Sequence, residues 1–214
     1  MKLEFVQFTL GSMENNVYLL GDTVSKKGVV IDPSFGSEAL LEYAEEKGWA
    51  LGQIWLTHAH FDHIGGANQV AMAFNPPLPI GLHPDDGDWY QQKGGAGQFG
   101  LSIAQPPPVS IFFEHGMGLS LEKNGQVAVE VRHAPGHSPG HVMFYCESLG
   151  VLFCGDVLFR GSIGRTDLPG GELSILLESI RQQVLTLPEY TRLLPGHGPE
   201  STVGYEKAHN PFLR

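Results

Sequence analysis

Cysteine is scarce: Cys146 and Cys154 are the only two in 214 residues, and each sits inside an apolar, strand-like run, HVMFYC and VLFCGD. A disulfide-stapled scaffold is thereby excluded, and both thiols are read as buried and reduced. Positive charge is sparse as well. Thirteen Lys and Arg stand against 23 Asp and Glu, for a formal net charge of −10. The cations are scattered, without the basic stripe that neutralises nucleic-acid phosphates, so nucleic acid is not an expected partner. Long apolar runs are also missing. Stretches such as Val151–Cys154 fall far short of the roughly 20 residues that span a bilayer, and the opening MKLEFVQFTL lacks the apolar core of a signal peptide. The expectation is a soluble, cytoplasmic protein with no membrane partner. Its length and 42% hydrophobic content suffice for one domain over residues 1–214 with a sizeable core.

What is abundant is Gly and Pro, with 28 and 15 residues, which demands many loops and argues against a plain helical bundle. Strand-like runs fall at Leu3 to Thr9, Asn16 to Leu20 and Gly28 to Ile31. A helix follows over Glu38 to Lys47, with Ser37 as its expected cap and Gly48 as its stop. Gln53 to Thr57 reads as a buried strand, Gly66 to Phe74 as a helix, Pro79 to Leu82 as a short strand, and Gly94 to Pro108 as a loop or lid. The second half repeats this order, with strands at Gln126 to His133, His141 to Cys146 and Val151 to Cys154, a helix from about Glu172 to Leu185, and a strand at Thr191 to Leu194. An α/β fold of two sheets flanked by helices satisfies the pattern, because each sheet buries one face against the other and its second face under helices.

Histidine carries the chemical signal. Five of the ten lie in short clusters rich in Gly, Pro and Asp, where surface histidines would be scattered. THAHFDH (Thr57 to His63) follows a strand and precedes a glycine pair, which puts it beyond a strand's C-terminal end, where ligand sites collect. Three further strand ends deliver His137, Asp156 and His197, each on a turn containing Gly or Pro. Neutral imidazole suits zinc or iron and a carboxylate can bridge two cations, so five histidines and two aspartates suit a dinuclear centre. His58, His60 and His137 are assigned to one metal and Asp62, His63 and His197 to the other, with Asp156 bridging. Two divalent ions are therefore the expected cofactors, zinc first, with iron or manganese as alternatives.

THAHFDH, HAPGHSPGH, FCGD and LPGHG together resemble the metallo-β-lactamase superfamily, in the right order over nearly the whole chain. The resemblance implies a four-layer αββα sandwich. Within the superfamily the chain looks most like short bacterial members of the glyoxalase II (hydroxyacylglutathione hydrolase) type. That likeness implies hydrolysis of small thioesters such as S-D-lactoylglutathione by a metal-bridging hydroxide, with Asp62 and Asp156 as the catalytic carboxylates beside it. It also implies that Arg165, in GSIGRTD, receives the substrate's carboxylate. The C-terminal helical domain of long glyoxalase II enzymes has no room here, since about seventeen residues follow His197. The GRTD segment resembles mononuclear-iron persulfide dioxygenases of the same superfamily, which supplies the alternative function; a lactonase or other ester hydrolase is a third.

The remaining candidates have blander readings. His83, His115 and His209 are taken as surface histidines, His133 and His141 as partners of the metal ligands, and Asp32 as a residue fixing a turn near the site. Trp89 and Tyr90 read either as packing aromatics or as a pocket wall. Two divalent cations, two aspartates and one hydroxide sum to +1, so a local positive pocket can accept an anionic substrate despite the overall −10.

Overall fold

The computed structural model describes residues 1–122 and 125–214. Its architecture follows from strands buried on both faces. Every residue of β2 (Asn15–Asp22) is buried, with Val17 and Leu19 facing one core and Tyr18 and Leu20 another. Such a strand must be covered on two sides. It belongs to a six-stranded sheet in the order β1 (Leu3–Leu10), β2, β3 (Lys27–Ile31), β4 (Ala50–Trp55), β5 (Ile80–Leu82), β6 (Val109–Phe112). The first three strands pair antiparallel and the last four parallel. A second six-stranded sheet runs β14 (Ser201–Thr202), β13 (Arg192–Pro195), β10 (Val151–Gly155), β9 (Val142–Cys146), β8 (Val127–His133), β7 (Gly118–Ser120), and β11 (Leu158–Phe159) and β12 (Ser162–Ile163) form a separate two-stranded hairpin.

Three apolar layers separate four layers of structure. Between the sheets, Tyr18, Leu20, Ile31 and Trp55 meet Val131, Phe144, Phe153 and Leu194. Outside the first sheet, Leu40 and Ala44 of α1 (Glu38–Lys47) and Val70 of α3 (Ala67–Met72) pack with Val17, Val30 and Ile54. Outside the second, Leu176 and Ile180 of α5 (Leu173–Gln183) and Val203 of α6 (Val203–His209) cover Met143, Leu152 and Leu193. The fold is the expected αββα sandwich. Cys146 lies in the central layer and Cys154 in the outer one, both buried and free.

Several boundaries differ from the sequence reading. Ser37 stands at the start of α1, but its hydroxyl donates back to the Ser34 carbonyl at 2.6 Å and caps no helical N–H. The strand expected at Gln53 to Thr57 begins earlier and ends at Trp55, paired parallel with β3 from Lys27↔Ala50 to Ile31↔Trp55 with one register shift between Gly28 and Val29. Thr57 leaves the ladder because the Asp32 carboxylate takes its N–H, at 2.7 Å. The helix expected over Gly66 to Phe74 is α3, shortened to Ala67–Met72, and a further short helix, α2 (Phe61–Ile64), precedes it. The two are separated at Gly65-Gly66, where the Ser34 carbonyl oxygen would lie 2.1 Å from a Cβ on Gly66. The expected loop at 94–108 opens in a 3₁₀ turn, Lys93–Phe99, that packs on α2 and on α4 (Gly87–Gln91). Strands β6, β7 and β14 and helix α6 add to the predicted elements. Among the described residues, no helix is long and apolar enough to cross a membrane.

Candidate metal centre

The loops that follow β4, β8, β10 and β13 converge at one rim of the sandwich, where the two sheets meet. His58 and His60 follow β4, His137 follows β8, Asp156 follows β10 and His197 follows β13. Asp62 and His63 lie in α2. His60 Nδ1 is 2.9 Å from His137 Nε2, which is 3.3 Å from His58 Nε2. These three nitrogens form one donor set. The second comprises Asp62 Oδ2, 3.1 Å from His197 Nε2 and 3.6 Å from His63 Nε2. Asp156 stands between them: its Oδ2 lies 3.7 Å from His137 Nε2 and 3.8 Å from His197 Nε2, and its Oδ1 lies 3.4 Å from His63 Nε2. All seven residues named from the sequence thus come together, six in the two triads assigned there and Asp156 between them.

Hydrogen bonds behind the rings aim the inward nitrogens. His137 Nδ1 is 2.8 Å from the Arg165 carbonyl and His197 Nδ1 is 3.0 Å from the Met13 carbonyl. A carbonyl only accepts, so each Nδ1 carries the hydrogen and each Nε2 presents its lone pair. Asp32 does the same twice. Its Oδ2 lies 3.0 Å from His63 Nδ1 and accepts the Thr57 hydroxyl at 2.6 Å, and Thr57 Oγ1 then accepts from His58 Nδ1 at 3.0 Å. One carboxylate therefore orients a ligand of each triad.

The electrostatics match a cation site. Burial, then the neighbouring His63 and His141, push His58 well below the ordinary histidine range. Burial and His137 lower His60 to about 3. Burial opposes the charge on Asp156, but His63 outweighs it and holds the carboxyl well below the usual range; the same balance puts Asp62 at about 2. Burial likewise works against a charged His63, and Asp156 and Asp62 override it, raising the imidazole well above its ordinary value. Ionised carboxylates and neutral imidazoles are the forms that bind metal, so a cation at this centre would take the place of the proton that the two aspartates draw onto His63. Buried His63 Nε2 and Asp156 Oδ1 have no hydrogen-bond partner among the described residues, although both point into the centre. Donor set and orphaned atoms together fit two divalent cations. Gly196 is required beside them, since a Cβ there would lie 2.4 Å from Asp156 Oδ1.

Other residues resolve differently. His141 stacks on His58 (ring centroids 4.7 Å apart, 21° between planes) and accepts the Asp156 N–H at 3.0 Å, so it supports the ligands as expected. His133 does not. It stacks on His83 at 4.1 Å and 7° and bonds the Pro139 carbonyl at 3.0 Å. With Asp85 this pair makes a further His/Asp group, but in-plane lone pairs of two nearly parallel rings cannot meet on one ion. Asp32 has a φ of 51° and does sit in a turn, yet its carboxylate serves Thr57 and His63. Trp89 is a wall: its ring meets His60 edge-on at 4.7 Å and its Nε1 donates to the Pro169 carbonyl at 3.2 Å. Tyr90 packs, its hydroxyl bonded to the Pro107 carbonyl. Arg165 is engaged, its Nε and Nη2 each 2.7 Å from an Asp167 oxygen. Sequence reasoning missed Thr57 and Asn15, whose Nδ2 donates to Asp62 Oδ2 at 2.9 Å. Asn15 had a signal only in being a polar residue opening an apolar strand.

Known proteins share this sequence pattern and this fold. Residues 11–197 match the family model described as the metallo-beta-lactamase superfamily. Hydroxyacylglutathione hydrolase GloC of Haemophilus influenzae is 36% identical over 214 residues, covering 100% of this chain and 98% of that protein. Among solved structures, BLEG-1 B3 metallo-beta-lactamase superposes with a TM-score of 0.88 at 39% identity, covering 98% of this chain and 99% of that one. TTHA1623 in a di-iron-bound form gives 0.86 at 42%, covering 97% and 100%.

Proposed function

Because the chain belongs to the metallo-β-lactamase superfamily and is a metal-dependent hydrolase of it, we propose that it cleaves hydroxyacyl thioesters of the S-D-lactoylglutathione kind. The observation that carries the reading is the placement of Asp156, whose one Oδ2 stands 3.7 and 3.8 Å from a histidine nitrogen of either triad. Such a carboxylate fits two cations side by side, and full-length similarity to a hydroxyacylglutathione hydrolase supports a thioester as substrate.

His58, His60 and His137 would hold one ion and Asp62, His63 and His197 the other. When bound, such a pair supplies a water acidified to near neutral pH and a Lewis acid for the carbonyl oxygen. The chain's own residues do the rest. Asp156 and Asp62 stay ionised, so two divalent charges against two carboxylates leave a positive pocket for an anionic thioester. Asn15 holds Asp62 through Oδ2, which fixes that carboxylate's orientation. Trp89 closes the His60 side, where it limits access of bulk water to the scissile carbonyl. Arg165 lies on the loop whose carbonyl holds His137, and its guanidinium exchanges Asp167 for the substrate's carboxylate in the same two-bond geometry.

The test is a metal count on protein purified under controlled zinc, manganese or iron supply, with thiol release from S-D-lactoylglutathione and oxygen uptake with a persulfide measured on the same samples. The expected result is two ions per chain, thiol release, and no oxygen uptake. One tightly held iron with persulfide-dependent oxygen uptake would overturn the thioesterase in favour of a dioxygenase.

A further inference from the structure

Asp86 is completely buried on an element that contributes no ligand, the 3₁₀ turn Pro84–Asp86 after β5. It is not a group that packing alone explains, because a carboxylate taken out of water is costly unless hydrogen bonds replace the solvent. Here they do. Oδ2 accepts the Ala59 N–H at 2.9 Å and the Ser138 hydroxyl at 2.8 Å, and Oδ1 accepts the Gly140 N–H at 2.6 Å. Ala59 lies between the ligands His58 and His60, and Ser138 follows the ligand His137. The three donors thus come from two loops, one on each sheet.

That placement is selective. The triad of His58, His60 and His137 is assembled across the gap between the sheets, and the Asp86 carboxylate clamps both of its loops at the residues beside the ligands. None of its three partners adjoins Asp62, His63 or His197. The link across the second triad is a different one, in which Asn15 Nδ2 reaches Asp62 Oδ2 and lies 3.3 Å from His197 Nε2. We propose that Asp86 is a positioning residue for the His58/His60/His137 site, setting the separation of its two loops and hence the affinity of that site alone. The proposal rests on the two-site reading above.

Asp86→Asn tests it with little change of volume. An amide keeps one acceptor oxygen and turns a donor toward either Gly140 or the Ala59/Ser138 pair, so the clamp opens on one side. Stepwise metal affinities are measured by titration against a competing chelator, with a His197→Ala protein identifying which equivalent belongs to which triad. The expected result is a roughly 10- to 100-fold weakening of the His58/His60/His137 equivalent, the range for lost orienting bonds around a ligand. The other equivalent should stay within about threefold, with unchanged far-ultraviolet circular dichroism. Excess metal should then restore thiol release. Equal weakening of both equivalents, or of neither, overturns the proposal and leaves Asp86 a general fold contact. Should Asp86→Asn not fold, Ser138→Ala removes one donor and keeps the buried charge; a smaller loss confined to the same equivalent supports the clamp, and unchanged affinities overturn it. If the wild-type protein takes up one ion only, the two-site reading fails, whereas the clamp is still decided by whether Asp86→Asn weakens that ion.

Discussion

Arg165 shows how one side chain can be legible by type and not by state. Its position in a glycine-rich loop nominated it for a substrate carboxylate, and the structure finds the same two-pronged grip already spent on Asp167. Substrate must displace a carboxylate that is held, at about 2, in its ionised form by that bond. Two opposite outcomes follow. Arg165→Met should raise KM for glutathione thioesters roughly ten- to a hundredfold, the worth of a charged hydrogen-bond pair, and leave a small neutral thioester nearly unchanged. Asp167→Asn should lower KM for the charged substrate, because it frees the guanidinium. Steady-state kinetics on the two substrates decides both, and equal losses for both substrates in Arg165→Met would remove Arg165 from recognition. The seven ligand candidates were readable because metal-binding side chains in tight turns after strands are a local pattern. The roles of Asp32 and Asn15 were not, since their work is done on partners distant in sequence: Asp32 meets His63 31 residues away, and Asn15 meets Asp62 47 away.

At the scale of elements, length decided what could be read. β2, β8 and β10 announced themselves through β-branched and aromatic runs, whereas β7 and β14 have three and two residues and carry no period at all. They exist because a neighbouring edge supplies their hydrogen bonds. The 94–108 stretch looked like pure loop from its glycines, yet a Cβ on Gly94 would lie 2.2 Å from the Phe61 nitrogen. The glycine is there so that the turn can lie against the backbone next to His60. The β2–β3 turn offers a measurable case of local bonding. Asp22 closes it by accepting the N–H groups of Lys2, Val24 and Ser25. Burial opposes its charge, but these bonds outweigh it and bring the pKa to about 2 from 3.8. A folded pKa below the unfolded one stabilises the fold above about pH 4 and loses that contribution as pH falls toward 2. Asp22→Asn should therefore lower the melting temperature at pH 6 and make little difference near pH 2; an equal loss at both values would show that the carboxylate's charge is irrelevant to the turn.

For the whole molecule, the αββα order was visible because strands buried on both faces can be satisfied only by stacked sheets with outer helices. The convergence of four loops at one rim was not visible, because it depends on the order β14-β13-β10-β9-β8-β7 and its counterpart in the other sheet, which no local pattern encodes. That rim joins the two sheets, so whatever binds there ties the halves together. Saturating metal at a hundredfold over its Kd adds about 2.7 kcal/mol of stability, which for a chain of this length is roughly 5–10 °C in melting temperature. Stripping the metal with a chelator should lower the calorimetric midpoint by at least that amount, and re-addition should restore it. An unchanged midpoint would mean that the folded protein does not hold metal in preference to the unfolded chain.

The position of Trp89 has an optical consequence. The chain has three tryptophans, and Trp49 and Trp55 are sealed in apolar cores, where they emit at short wavelength whatever happens at the rim. Trp89 alone touches a ligand, its indole meeting the His60 ring edge-on, and it is only partly buried. Its fluorescence is a natural beacon for the centre: emission selected at the long-wavelength edge should respond to occupancy, and iron or cobalt, with their open d-shells, should quench it where zinc does not. The protein therefore carries its own dye for following metal arrival in real time, without a label and without substrate.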